Sequence, residues 1–238
     1  DITLAQVLAH QGGFPNAAVG PDAWEDHNLM RELVCDFRLD WAPGTRVEYH
    51  GASAHWVQAT LIEAVTGEDY RDAAQRRILG PLGLTDVHVG VPDEFHNALA
   101  GAYHGGPSGR YQLIPERNAP EFWRAGVPGG GGYATAIGLS CFYQMLLAGG
   151  VLNGTRVLGP RTVQYVTRNH TGELVDERFG MPMHRGLGVH VHPAENHLHG
   201  TTAANEMREP LRPGSAGQNP EGYLHLVDLR LAIESEAH

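Results

Sequence analysis

The 238-residue sequence contains no lysine; all 17 of its basic residues are arginine. Within these residues that absence excludes any Ser-x-x-Lys pair, in which an amine takes the proton of a serine hydroxyl. It equally excludes a P-loop, whose lysine reaches bound phosphates. Cysteine is scarce as well: Cys35 and Cys141 cannot build a disulfide framework and are read as free, buried thiols. No stretch approaches 18 uninterrupted apolar residues, so no helical membrane span is expected. Cations are outnumbered 17 to 27, for a net charge of −10. Phosphate binding needs clustered cations, so nucleic acid is not an expected partner, and neither is an anionic membrane. The chain opens on Asp1 and shows no charged stretch leading into an apolar one, hence no signal peptide in this segment. A cytoplasmic location is favoured on that ground, and the natural start is expected to lie upstream.

What is present reads as a globular chain, 42% hydrophobic and 18% charged, long enough for a sizeable core. Ile2, Leu4, Ala5, Val7 and Leu8 suggest a short helix stopped by Gly12 and Gly13. Asn28 is placed as the cap of a helix through Arg38, with Leu29, Leu33 and Phe37 on one face. Val47 to His50 reads as a short extended piece. Ala54, Val57, Leu61, Ala64 and Val65 recur at helical spacing, and Gly67 stands where a C-cap glycine belongs. Asp69 opens a further helix through Ile78, closed by Gly80-Pro81, and residues 86–130 read as irregular loops. Thr135 is placed as the cap of a helix with Leu139, Phe142, Met145 and Leu146 inward, and Pro160 in the first turn of another with Val163 and Val166. Tyr223 to Ile233 alternate at period two and predict a strand. Helices and loops come first and strands only at the end. This order predicts an α+β fold, with residues 1–205 as a mostly helical lobe and 206–238 beginning a sheet lobe.

Three segments, in this order, resemble the class C β-lactamase-like and carboxylesterase serine hydrolases, which share the penicillin-binding-protein fold. They are Asp1-Ile2-Thr3-Leu4 through His10-Gln11-Gly12-Gly13; Ala42-Pro43-Gly44 through Tyr49-His50-Gly51, Val65-Thr66-Gly67 and Pro81-Leu82-Gly83-Leu84; and Gly129-Gly130-Gly131-Gly132-Tyr133 through Leu158-Gly159-Pro160-Arg161-Thr162. The resemblance covers about half the chain. It implies a β-lactamase/transpeptidase-like architecture, an antiparallel sheet packed with helices beside a helical domain, with the active site between the two.

The same resemblance implies chemistry. Family members pair a Ser-x-x-Lys helix start with a Tyr-x-Asn-like loop and a Lys-Thr-Gly or His-x-Gly strand. The lysine and the loop tyrosine share the task of activating the serine. Tyr49 stands at the tyrosine position and is the candidate catalytic residue; His50 and Gly51 complete the motif as candidate substrate-binding positions. Gly51 replaces the lactamases' asparagine, whose amide can hydrogen-bond a substrate amide, and so leans toward esters. The third motif is placed at Arg212-Pro213-Gly214-Ser215-Ala216-Gly217, where backbone N–H groups of Gly214 and Ser215 would contribute to an oxyanion hole. The serine–lysine pair is expected in a segment upstream of Asp1, with genuine loss as the rival account. The chain alone is then expected to be inactive.

The reading that follows is a serine hydrolase acting on carboxyl esters or related amides through an acyl-enzyme. It needs no cofactor and takes a small-molecule substrate, and a homo-oligomer is one way to cover an exposed sheet edge. An inactive relative that binds a ligand in the old cleft is the alternative. A third reading is a histidine-based metal protein: His190-x-His192 and His197-x-His199, near His184 and Glu195, place imidazoles on one face of extended chain. With 15 histidines spread through the sequence, solvated strand histidines are the default and no metal is assigned. The glycines at 129–132 are read as a turn into a helix, and His10 as buried and structural. Pro213-Gly214-Ser215-Ala216-Gly217 and Gly51-Ala52-Ser53-Ala54-His55 approach a Gly-x-Ser-x-Gly elbow by chance alone.

Overall fold

The structure, a computed structural model, is described over residues 1–105 and 111–191. Within them the chain runs α1 (Leu4–Leu8), α2 (His27–Cys35), α3 (Ser53–Thr66), α4 (Tyr70–Ala74), β1 (Val87–Val89), β2 (Tyr103–Gly105), β3 (Tyr111–Leu113), α5 (Pro120–Ala125), β4 (Gly132–Ala134), α6 (Ala136–Leu147), β5 (Val151–Leu152), β6 (Thr155–Arg156), α7 (Pro160–Val166), β7 (Val175–Asp176) and β8 (Met181–Pro182). The α+β class stands. The expectation that strands come only at the end does not, because four antiparallel pairs, β1–β4, β2–β3, β5–β6 and β7–β8, punctuate the helices. Each strand is only two or three residues long, too short for a period-two pattern to register in the sequence. The predicted strand at 223–233 and the lobe boundary at 205/206 lie outside the described residues.

Helix α3 is the axis of the described structure, in contact with α1, α2 and α4. Gly67 ends it at φ +70°, the left-handed cap conformation that costs glycine little. Its buried face differs from the predicted one. Ser53, Trp56, Val57, Thr60 and Glu63 turn inward, whereas Leu61 and Val65 are exposed. Three polar residues, Ser53, Thr60 and Glu63, therefore lie on the inner face while Leu61 and Val65 lie outside, which hydrophobicity alone misassigns. Helix α2 is corrected in the same way. Asp26, not Asn28, is the cap, accepting the Asn28 and Leu29 N–H groups at 3.1 and 3.0 Å. The helix stops at Cys35, and its inward pair is Met30 and Val34. Leu29 and Phe37 pack at the margin of that core, and Leu33 faces out. Cys35 and Cys141 are both free, but Cys35 is exposed and not buried as expected.

At one end, α1 is closed by a reciprocal box between Thr3 and Gln6. Before Gly12 is reached, His10 already takes the left-handed conformation, at φ 57°. At the other, Asp69 caps α4, and a π-turn over Gln75–Leu79 carries the helix to Gly80. Thr135 caps α6 as predicted, accepting from the Gly138 N–H at 3.0 Å. Two apolar clusters result. The larger includes Val7, Phe14, Met30, Trp56, Val57 and Tyr70. The smaller joins Leu79, Leu82 and Leu84 to Met145 and Leu152.

An ion network ties four segments of the first cluster together. His27 Nδ1 lies 2.6 Å from Glu63 Oε1. Arg71 donates from Nη2 to Asp69 at 2.6 Å and from Nη1 to Glu25 at 3.0 Å. The Tyr70 hydroxyl donates to the Ala125 carbonyl at 2.9 Å, fastening α4 to α5. Burial works against ionisation of Asp69, but hydrogen bonds from the Arg71 side chain and backbone outweigh it and hold the carboxyl below the ordinary range.

Met145 is fully enclosed in the smaller cluster. Met145→Ala is expected to destabilise the fold by about 2–5 kcal/mol, read as a lower denaturant midpoint with an unchanged slope.

Candidate functional site

The segment Glu48–Ser53 follows α2 and runs into the start of α3, and the structure assembles a set of side chains around it. His10 anchors it through the main chain: its carbonyl accepts the Glu48 N–H at 3.1 Å, and its Nδ1 accepts the His50 N–H at 3.3 Å. This is the structural role expected of a buried histidine. The ring of His10 also sits 4.6 Å from that of half-buried Tyr49, and His55, one turn into α3, lies 6.3 Å from the same ring.

The other wall comes from the β7–β8 hairpin and the chain just beyond it. Asp176, wholly buried, accepts the Tyr49 N–H on Oδ1 at 3.2 Å. The same oxygen takes the Arg178 N–H at 3.1 Å. Its other oxygen receives Arg185 Nε at 3.0 Å and Nη2 at 2.5 Å. A parallel bridge between Val47 and Asp176 and a 2.9 Å bond from the Glu177 N–H to the Val47 carbonyl zip the hairpin to the loop. The Arg185 guanidinium then lies 4.9 Å from the Tyr49 ring centre and 5.9 Å from that of Phe179. Neither Asp176 nor Arg185 was picked out from the sequence. They stand 127 and 136 residues after Tyr49, and no motif links them.

His50 is buried, with its ring 5.1 Å from that of Trp41. Burial lowers its pKa from the ordinary value, against opposing pulls from Asp40 and Asp176. Its Nδ1 finds no hydrogen-bond partner among the described residues. Buried in this way, His50 contributes to the packing of the loop. Glu48 is pushed upward by burial and by the neighbouring Glu177 and Asp176 carboxylates. Gly51 has room: a Cβ there would meet only Tyr49 Cε1, at 3.5 Å. The described structure therefore leaves room for a Cβ at this position. Ser53 is fully enclosed, which bears out the reading of its Gly-x-Ser-like surroundings as chance.

The glycine run has a function the sequence did not disclose. Gly129 takes φ +80°, and a Cβ on it would fall 2.8 Å from the Gly51 carbonyl oxygen and 2.6 Å from the His55 ring. The turn therefore closes directly on the Tyr49 loop, and only an absent side chain allows it. Beyond it, the Tyr133 strand pairs with His88 in β1–β4.

Gly214 and Ser215, the expected third-motif positions, lie outside the described residues, as do His192, Glu195, His197 and His199. Of the expected histidine set, His184 Nδ1 is 2.9 Å from the Asn169 amide nitrogen. His190 instead lines a cavity of about 470 Å³ between α6 and α7, away from Tyr49. Among the described residues, the metal-type donors that converge are His27, Glu63 and Asp69, within 4.8 Å of one another. The Arg71 guanidinium is already seated there, 3.4 Å from His27 Nε2, which makes the cluster an ion network. No described helix is long and apolar enough to cross a membrane.

Residues 1–214 match the Beta-lactamase family, and the chain belongs to it. Its fold is similar to that of a family VIII carboxylesterase, with a TM-score of 0.72 at 23% identity, covering 83% of this chain and 57% of that one. It is also similar to a penicillin-binding protein homologue from Caulobacter crescentus, with a TM-score of 0.65 at 23% identity over 79% and 54% of the two chains. In sequence it is 28% identical over 183 residues to Protein Rv1367c of Mycobacterium tuberculosis (strain ATCC 25618 / H37Rv), covering 72% of this chain and 42% of that protein. The chain thus spans about half the length of the relatives it matches.

Two outcomes are expected from this geometry. Gly129→Ala is expected to cost at least about 1–2 kcal/mol from its left-handed backbone, with further loss because the Gly51 carbonyl must move. A thermal melt reads the cost, and an unchanged melting temperature would show that the turn does not press on the loop. The depressed pKa of His50 means that the unfolded chain binds its proton first. Stability is then full above the ordinary histidine value of about 6.5 and declines as pH falls through it toward the folded pKa. Denaturant titrations across that window should slope for the natural protein and flatten for His50→Gln.

Proposed function

We propose that this chain carries the tyrosine half of a serine hydrolase that acts on carboxyl esters or related amides through an acyl-enzyme. The observation that carries the reading is the placement of Tyr49. Its N–H is held by Asp176, the N–H groups of its neighbours Glu48 and His50 are held by His10, and its ring is flanked by His10, His55 and Arg185. A general base must be held in one orientation to take a proton in the transition state, and the loop supplies that restraint. The serine and its lysine come from outside these residues, which contain no lysine. Gly51 favours esters over substrates whose amide would seek a partner at that position. Gly214 and Ser215 remain the candidates for the oxyanion donors.

The chemistry then proceeds in two halves. The serine oxygen, losing its proton toward Tyr49, attacks the substrate carbonyl, and the leaving alcohol or amine departs with a proton. Water, or an acceptor alcohol, next attacks the acyl-serine and releases the acid or a new ester, restoring the serine hydroxyl.

The test is hydrolysis of short p-nitrophenyl esters by the protein bearing its Ser-x-x-Lys segment. Tyr49→Phe is expected to lower kcat at least about 10²-fold, the low end for loss of a general base. Unchanged turnover in a folded Tyr49→Phe protein defeats the assignment.

A further inference from the structure

Asp176 and Arg185 form a pair with almost no access to solvent, at 0% and 7% exposure. Taking two charges out of water is costly, and such a pair stabilises a fold little compared with apolar residues of the same volume. What it does supply is direction. Asp176 commits one oxygen to the Tyr49 N–H and the other to the guanidinium. The guanidinium lies over the Tyr49 ring, with Phe179 as a second aromatic neighbour. One ion pair therefore holds the same residue twice, by its main chain and by its ring.

We propose that Arg185, fixed by Asp176, is a positioning residue for Tyr49 that sets the orientation of its ring and favours the phenolate over the phenol. This rests on the reading of Tyr49 as the base. A planar, permanently charged fork suits the task, because it can lie flat on a ring while donating in its own plane to a carboxylate. The other groups facing Tyr49 are the His10 and His55 rings and the exposed Arg178, 5.8 Å from the ring centre. Glu48 and Glu177 flank the contact along the chain. Of the two cations, Arg185 is the nearer and the one enclosed, where charge is screened least.

The experiment is a phenolate titration by ultraviolet absorbance, with Tyr49 identified as the signal missing from Tyr49→Phe. The double variant Asp176→Asn with Arg185→Gln removes both charges and keeps a polar pair. Its Tyr49 midpoint is expected to rise, but by less than the roughly one to three pH units that loss of a cation alone gives, because the Asp176 carboxylate removed with it pulls the other way. Arg185→Lys keeps the buried charge balance, and with it the fold even if the neutral pair does not assemble. Its midpoint is expected to rise by a few tenths, since an ammonium cannot lie flat on the ring. A midpoint equal to that of the natural protein, in whichever variant shows native circular dichroism, overturns the proposal. Because the titration needs no turnover, its result stands apart from the ester assay that judges Tyr49 itself.

Discussion

A carboxylate sealed from water must find donors for both oxygens, and Asp176 finds them on three different residues. The Tyr49 N–H and the Arg178 N–H share one oxygen, and Arg185 takes the other. Removing either side would leave a buried charge unanswered, the arrangement folded proteins tolerate least. The stretch 47–50 and the stretch 175–185, remote from each other in sequence, are thereby obliged to meet, and the candidate site is where they do. His10 reinforces the junction from below, and the Gly129 turn closes it from above.

Helix α3 carries this junction into the rest of the fold. At its N-terminal end stand the Tyr49 loop and His55; near its C-terminal end Glu63 joins His27 in the ion network with Asp69 and Arg71. Between them Trp56 and Val57 fill the larger apolar cluster. A rigid rod with polar fastenings near both ends and a packed middle keeps the Tyr49 loop from drifting relative to the helices. That restraint is what a group needs if it is to accept a proton at a fixed place.

Much of this was legible in the sequence, for identifiable reasons. Gly67 as a C-cap and Asp69 and Thr135 as N-caps follow from local chemistry and hold in the structure. Tyr49 was singled out as a candidate through its motif, because the residues around it are contiguous. The inner face of α3 was misread because Ser53, Thr60 and Glu63 are buried while Val65 is exposed. Hydrophobicity has no means to anticipate a buried glutamate whose partner, His27, lies 36 residues away. Asp176 and Arg185 escaped for the same reason at a larger scale: an ion pair leaves no periodic trace. The strand pairs escaped because two or three residues cannot establish a period.

Those short pairs also divide the molecule into parts that are free to change and parts that are not. The β2–β3 ladder, Tyr103 to Leu113 at its outermost register, is exposed at every described position. A substitution at these strand positions therefore meets solvent and not the core. The β1–β4 pair is of the opposite kind, since it joins residues 87–89 to 132–134 and bears directly on the glycine turn. The two pairs thus differ in what a change would meet: solvent on the outer ribbon, and on the β1–β4 pair the glycine turn that closes on the Tyr49 loop.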